Sequence, residues 1–307
     1  MRSLGLLWLL FFSICCGLGY STLNRYDPRK TPGVIHAEEH GATVAAEGSP
    51  VMQNRVLVPY AAKPFYLLAK GRIGTWDPVL FGLLVSNSLF TAATALLLVL
   101  VGRQATGDPA AALLAGLLYL LNFDVANYQL AGQVDSAECC FLMAVVATLS
   151  SKRWGWLPLW GVLGGLSKET FAPAALPLAF SWGWVVHRRE GLGLGRALCL
   201  GALALAAVAT TALALSVNEG RSLWAFWSAQ EDPAGAGSLF LPGFFRGFFN
   251  HSFLFIFAWL LPLGLLRLRE LPRPWVVGSA FGALAVLAVG GFHDAQDSTA
   301  RALFHVT

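Results

Sequence analysis

Between Asp77 and Arg103 the chain carries no charged side chain, and a second run of nearly this length follows Arg196. A helix needs about 20 apolar residues to cross a bilayer, and it satisfies its own backbone hydrogen bonds while doing so. Membrane β-barrels are excluded, because these stretches are continuous rather than alternating and far exceed the ~10 residues of a barrel strand. Composition agrees: 56% of residues are hydrophobic and only 12% are charged, against about 25% charged in soluble domains. A water-soluble enzyme, a disordered chain and a nucleic-acid binder are all excluded on that ground.

Apolar runs lie at about 4–20, 79–102, 109–123, 134–150, 155–167, 171–187, 196–216, 252–266 and 275–291. The expected fold is all-α: a polytopic helical membrane protein with about nine transmembrane helices. The runs at 109–123 and 155–167 are short for a straight span, which predicts tilted or broken helices there. Met1-Arg2-Ser3 and the following apolar run have the layout of a signal peptide. Cys15-Cys16-Gly17-Leu18-Gly19 is a poor small-x-small cleavage site, so an uncleaved first helix is expected. The five cysteines lie in apolar stretches and read as small packing residues, not as a disulfide framework.

Basic residues orient the chain. With the N-terminus in the cytoplasm, that side holds Arg2, Arg103, Lys152, Arg153, Arg188, Arg189, Arg196, Arg267, Arg269 and Arg273. Its acids are Asp108, Glu190 and Glu270, so ten bases against three acids give +7. The other side holds 11 basic and 14 acidic residues, a net of −3. The chain reads as one membrane domain, 1–307, with two polar outer loops at about 21–77 and 217–250. The first loop is punctuated by Pro28, Pro32, Pro50, Pro59 and Pro64, which predicts short helices and turns. Val56–Leu68 is apolar enough to lie along the membrane surface.

Several polar residues on the outer side need an explanation. Asp27 precedes Pro28 in the first loop, where a solvated turn acid is the simplest reading. His36 to His40 has the pattern H-x-x-E-H, with Glu39 beside the second imidazole. A zinc peptidase built on it needs a third ligand downstream, and residues 100–121 offer only Asp108, on the wrong side. Asp135 and Glu138 open an apolar run. They read equally as acids complementing a helix N-terminus and as residues of a polar cavity. Lys168 and Glu169 interrupt the run from Trp160 to Phe180; charges there are costly against lipid and face a cavity or a partner. They either pair with one another, or Lys168 snorkels, or its ammonium meets a phosphate. Arg55 and Arg301 are further phosphate candidates, since a guanidinium can hold phosphate oxygens bidentately.

Four features together resemble the glycosyltransferase C superfamily, chiefly over residues 1–190. They are one helix followed by a long outer loop with an early acid, Asp27; the stretch Gly132-Gln133-Val134-Asp135-Ser136-Ala137-Glu138; the stretch Trp160-Gly161-Val162-Leu163-Gly164-Gly165-Leu166-Ser167-Lys168; and Asn54-Arg55-Val56-Leu57-Val58-Pro59. The resemblance implies transfer of a sugar from a polyprenyl-phosphate carrier to an acceptor at the outer face of a bacterial cytoplasmic membrane. It implies Asp27 as general base, with Glu39 as second choice. Lys168, Arg55 and Arg301 become phosphate contacts, and Asp135 and Glu138 substrate-binding residues. A divalent cation is the one cofactor the superfamily leaves open, and no ligand set here assigns one. The expected partners are the lipid-linked sugar and membrane lipids, with no nucleic acid. The chain departs from the family pattern in having Asp27-Pro28 where many members have paired acids, and in its smaller number of helices. The competing expectations are a non-enzymatic transporter or carrier, since intramembrane charges also mark substrate paths, and an assembly partner.

Overall fold

A computed structural model of the chain describes residues 2–25, 44, 55–74, 76–220, 222–228, 266 and 268–292. Among them every regular element is helical. Three helices are long and apolar enough to cross a membrane: Ser3–Arg25, Pro78–Thr106 and Leu194–Asn218. Lipid is the medium that suits their surfaces. Leu6, Leu9 and Leu10 on the first, and Leu198, Leu205 and Leu213 on the third, are exposed. In water that many open leucines would be a large unfavourable area.

The chain divides into two compact units. The first comprises Met1–Ala144 and Leu166–Glu169. It holds α1 (Arg2–Arg25), α2 (Leu57–Ala69), α3 (Pro78–Thr106), α4 (Pro109–Leu120) and the start of α5 (Asp135–Ser150). Two Asp-Pro pairs set its helix starts. Asp77 accepts a hydrogen bond from the Val79 N–H at 2.7 Å and Asp108 from the Ala110 N–H at 2.8 Å, with proline at the first helical position each time. Gly107, at φ +72°, closes α3 in the left-handed conformation that a residue with Cβ avoids. Asp108 is thus a cap, which accounts for an acid in a basic loop.

Small residues bring the helices of this unit together. A Cβ on Gly116 of α4 would stand 2.8 Å from Val99 Cγ2 and 3.1 Å from the Ala95 carbonyl of α3. A Cβ on Gly82 of α3 would stand 2.8 Å from the Ala62 carbonyl of α2. Gly19 of α1 lies against Leu84 and Leu130, and Tyr20 meets Trp76 at 5.3 Å between ring centroids. The last turns of α1 therefore lie beside the first turns of α3, and the two run antiparallel.

The apolar run at 109–123 does not form one straight span. α4 has 12 residues, about 18 Å of rise. It gives way at Leu121–Asn122 to a π-helical turn, Val125–Gln129. The run at 155–167 likewise yields a 3₁₀ turn, Trp154–Trp156, and the 11-residue α6 (Leu157–Ser167). Both are too short to cross by themselves.

The second unit comprises Val145–Gly165 and Thr170–Thr307. Besides most of α6 it contains α7 (Phe171–Glu190), α8 (Leu194–Glu219), the short α9 (Leu223–Ser228) and α10 (Arg273–Phe292). Gly161 and Gly165 face α8. A Cβ on either would come within 2.7 Å of a carbonyl, of Leu203 and Ala207 respectively, and Thr211 Oγ1 donates to the Gly165 carbonyl at 3.2 Å. That spacing of small residues works as a close helix crossing. Trp156 and Trp184 are exposed, as interfacial anchors would be, but Trp154 and Trp182 are buried packing residues. The apolar run at 252–266, apart from its last residue, and most of the 217–250 loop lie outside the described residues.

Candidate functional site

Four of the seven residues singled out from the sequence meet in one place. Lys168 Nζ donates to Asp135 Oδ1 at 2.7 Å and lies 3.6 Å from Glu138 Oε2. Arg55 joins through Glu169: its Nε donates to Oε2 at 3.0 Å and its Nη2 donates to Oε1, a two-point fork. All five residues belong to the first unit. Asp135, Glu138, Lys168 and Glu169 are buried, at 1%, 1%, 7% and 6% exposure. Asp27, Glu39 and Arg301 lie outside the described residues, as do His36 and His40.

Local structure places these charges where helix ends want them. Asp135 is the first residue of α5 and Glu138 is one residue short of a full turn further on, at the end of a helix that attracts negative charge. Lys168 follows the C-terminus of α6, where exposed carbonyls favour a cation. Glu169 then stands just before Thr170, the N-cap of α7. The order Lys-Glu between two helices is thus read locally, while the partners come from far away in sequence. Lys168 and Glu169 do not pair with each other: one reaches α5, the other Arg55.

Burial alone opposes every charge in this cluster, and the opposite charges overcome it. Burial penalises the Glu169 carboxylate, yet the Arg55 guanidinium outweighs that penalty and holds its pKa down to about 2. Burial likewise disfavours the Lys168 ammonium, but Asp135 and Glu138 raise its pKa above the usual lysine value. Arg55 stays charged for the same reason, with Glu169 its main support. Three carboxylates face two cations, so the formal charge of the five is −1. Among the described residues no group of three or more His, Cys, Asp or Glu is placed to hold a metal ion.

A polar seam continues from the cluster between the helices. Ser136, next to Asp135, donates to Asn87 Oδ1 at 2.5 Å, and Ser86 donates to the Val58 carbonyl at 3.3 Å. Tyr119 OH donates to Gln129 Oε1, and Gln129 Nε2 donates to Asp124 Oδ2, both at 3.0 Å. Asp124 therefore belongs to a hydrogen-bonded set with Gln129 and Tyr119. Asn87 and Gln129 were not among the residues expected from sequence; Glu169 was singled out with Lys168, but not as the partner of Arg55. The triplet Ser86-Asn87-Ser88 inside an apolar run was the available signal for Asn87; nothing local marks Glu169 as the partner of Arg55.

No protein-family model, no curated protein and no solved structure matches this chain. The functional reading therefore rests on the residues themselves.

Proposed function

We propose that this chain is a membrane-embedded glycosyltransferase that moves a sugar from a polyprenyl-phosphate carrier to an acceptor at the outer face of the membrane. The supporting observation is that Arg55, Asp135, Glu138 and Lys168, from three separate stretches of sequence, converge on one buried polar cluster in an otherwise apolar helical protein. Perturbed, buried titratable groups gathered in one place are the mark of a functional site rather than of a lipid-facing surface.

The depth of the cluster fits this reading. α3 has 29 residues, about 43 Å of rise against a hydrocarbon core of about 30 Å. With Arg103 at the cytoplasmic headgroups, the roughly 20 residues that fill the core reach back to Leu83. The cluster is level with Ser86 and Asn87, through the Val58 and Ser136 contacts, and so stands at the outer boundary. The nine-pass topology, with a cytoplasmic N-terminus and the two polar loops outside, belongs to the same proposal.

In the reaction the acceptor hydroxyl attacks the anomeric carbon of the donor sugar. The bond from that carbon to the phosphate oxygen breaks, and the lipid phosphate leaves with its electron pair. Asp27, with Glu39 as second choice, takes the acceptor proton. Arg55 is the cluster cation best placed to meet the phosphate. Its side chain is 19% exposed, against 8% for Lys168. Among the described residues the fork to Glu169 engages two of its five N–H donors, so three are available to an oxyanion. Lys168, held by two carboxylates, positions Asp135 and Glu138 for sugar hydroxyls. Arg301 is a further candidate for the phosphate.

Mass spectrometry of glycans and lipid-linked sugars from a deletion strain tests the reading. A missing sugar species, or a polyprenyl-phosphate sugar that accumulates, supports it; an unchanged profile removes it. In the purified protein, Asp27→Asn is expected to lose transfer with normal expression, and full activity would remove Asp27 from the base role. Movement of a solute across vesicles without a covalent product would favour the transporter reading instead.

A further inference from the structure

The amphipathic helix α2 buries one face and leaves the other open. Val58, Pro59, Ala62, Tyr66 and Ala69 pack inward, while Tyr60, Leu67 and Leu68 are 59%, 59% and 60% exposed. Between Arg55 and Trp76 the sequence contains Lys63, Lys70 and Arg72 and no acid. This is a local excess of positive charge on the side assigned a net negative charge. Lys63 lies 6.0 Å from the Tyr60 ring centroid and Lys70 lies 5.4 Å from that of Tyr66, so both ammonium groups ride over aromatic faces. Among the described residues neither Lys63 nor Arg72 has a carboxylate partner.

The packing of α2 fixes its depth. Val58 meets Ser86, while Ala62 and Tyr66 meet Gly82, so the helix rises toward the start of α3 as it runs. Lys70 and Arg72 thus emerge beyond Leu83, the level at which about 20 residues counted back from Arg103 leave the hydrocarbon core. Tyr20, Trp76 and Phe81 form a ring contact chain beside them, at 5.3 and 6.1 Å between centroids. Aromatic rings of this kind settle at the headgroup boundary.

We propose that α2 and the Lys70–Arg72 turn form a docking surface for the headgroup phosphates of anionic phospholipid, with Tyr60, Leu67 and Leu68 among the acyl chains. Charge complementarity and depth select this occupant. Lys70 and Arg72 stand at phosphate level, while Lys63 and the exposed Tyr60, Leu67 and Leu68 lie at or below the edge of the hydrocarbon, as in interfacial amphipathic helices. The proposal rests on the membrane placement of α3 used in the transferase reading but not on its chemistry, since it concerns lipid that is held and not consumed.

The test is native mass spectrometry of the full chain in nonionic detergent, titrated with phosphatidylglycerol, phosphatidylcholine or diacylglycerol. Wild type is expected to retain phosphatidylglycerol over the other two. The variant Lys63→Gln/Lys70→Gln/Arg72→Gln is expected to lose on the order of tenfold in retention, with thermal unfolding unchanged. Lys152→Gln/Arg153→Gln, an equal kind of charge loss elsewhere, is expected to keep retention at wild-type level. Should the triple variant fold poorly, Arg72→Glu alone is read against Arg72→Lys, which should restore binding. Equal retention of phosphatidylcholine, or full retention by the triple variant, would overturn the proposal. Displacement by inorganic phosphate would reassign the site to a soluble anion, and displacement by a polyprenyl monophosphate at equal concentration would reassign it to the sugar carrier. Binding is read without turnover, so a protein that holds phosphatidylglycerol through these residues but transfers no sugar fails only the enzymatic reading.

Discussion

Two charge clusters among the described residues have similar composition in very different surroundings. In the first unit, Arg55, Asp135, Glu138, Lys168 and Glu169 are nearly closed off from solvent. In the second, Lys152, Glu190 and Arg196 form ion pairs at 3.2 and 3.7 Å with side chains 35–63% exposed. Distance alone would rank the Lys152–Glu190 pair close to the others. Environment separates them. An exposed pair contributes about 0–1 kcal/mol and is screened by salt. A buried pair adds little over an apolar replacement, but loss of one partner strands a charge and costs about 3–5 kcal/mol. The buried cluster is therefore a poor source of net stability and a strong constraint on which residues must occupy it.

The largest expected effect breaks the buried cluster at its hub. Lys168→Met leaves Asp135 and Glu138 facing each other without the ammonium and should destabilise the protein by about 3–5 kcal/mol, read as thermal or denaturant unfolding in detergent. A loss under ~1 kcal/mol would mean that water reaches the cluster and that the contrast with the exposed one is false. Next, Arg55→Met and Glu169→Gln should each cost roughly 3 kcal/mol, and the double variant less than their sum, with a coupling of about 1–3 kcal/mol. Additive losses would show that the two side chains do not depend on each other.

The same pair gives a pH signature. The folded pKa of Glu169, about 2, is below its usual value. Its stabilisation is thus fully present above the usual glutamate range and is lost as pH falls toward 2. Wild type should exceed Glu169→Gln in stability at pH 5 to 7, and the difference should shrink below about pH 4. A gap that is constant with pH would remove the ionised pair. Packing provides an effect of intermediate size. Gly165→Ala pushes a methyl against the Ala207 carbonyl and Thr210, and about 1–3 kcal/mol of overpacking is expected in the same unfolding assay. The smallest effect is Lys152→Gln, below ~1 kcal/mol and vanishing at high salt; a larger loss would promote the exposed cluster to a structural role.

Much of the helical architecture is legible in the residues. Asp77-Pro78 and Asp108-Pro109 announce helix starts, Gly107 a helix end, and the uncharged interval from Pro78 to Gly102 a helix able to cross a membrane. The shortness of the runs at 109–123 and 155–167 foretold broken helices, and the four-residue spacing of Gly161 and Gly165 suits a close crossing. These are local or periodic signals, so one stretch of chain is enough to carry them. The site is legible only in part. The individual costs of Asp135, Glu138, Lys168 and Arg55 in an apolar chain marked them as residues that need partners, and the neighbouring Lys168 and Glu169 appeared to offer a self-contained pair. Which carboxylate answers which cation is not encoded in any window of sequence, because the Arg55–Glu169 fork joins positions 114 residues apart.

By itself the sequence determined the helical secondary structure and helices long and apolar enough to cross a membrane. Too few charges for a water-facing surface suit a lipid surrounding, where backbone groups pair within helices. Tertiary structure alone decided how those few charges are used. Lys168 turns to α5 and Glu169 to Arg55, since burial makes an unpaired charge costly and only the packed helices bring the opposite charges within about 3 Å. It also decided that Lys70 and Arg72 are exposed while Arg55, at the other end of the same segment, is drawn to the buried Glu169, because α2 buries a stripe through Val58, Ala62 and Tyr66 against α3.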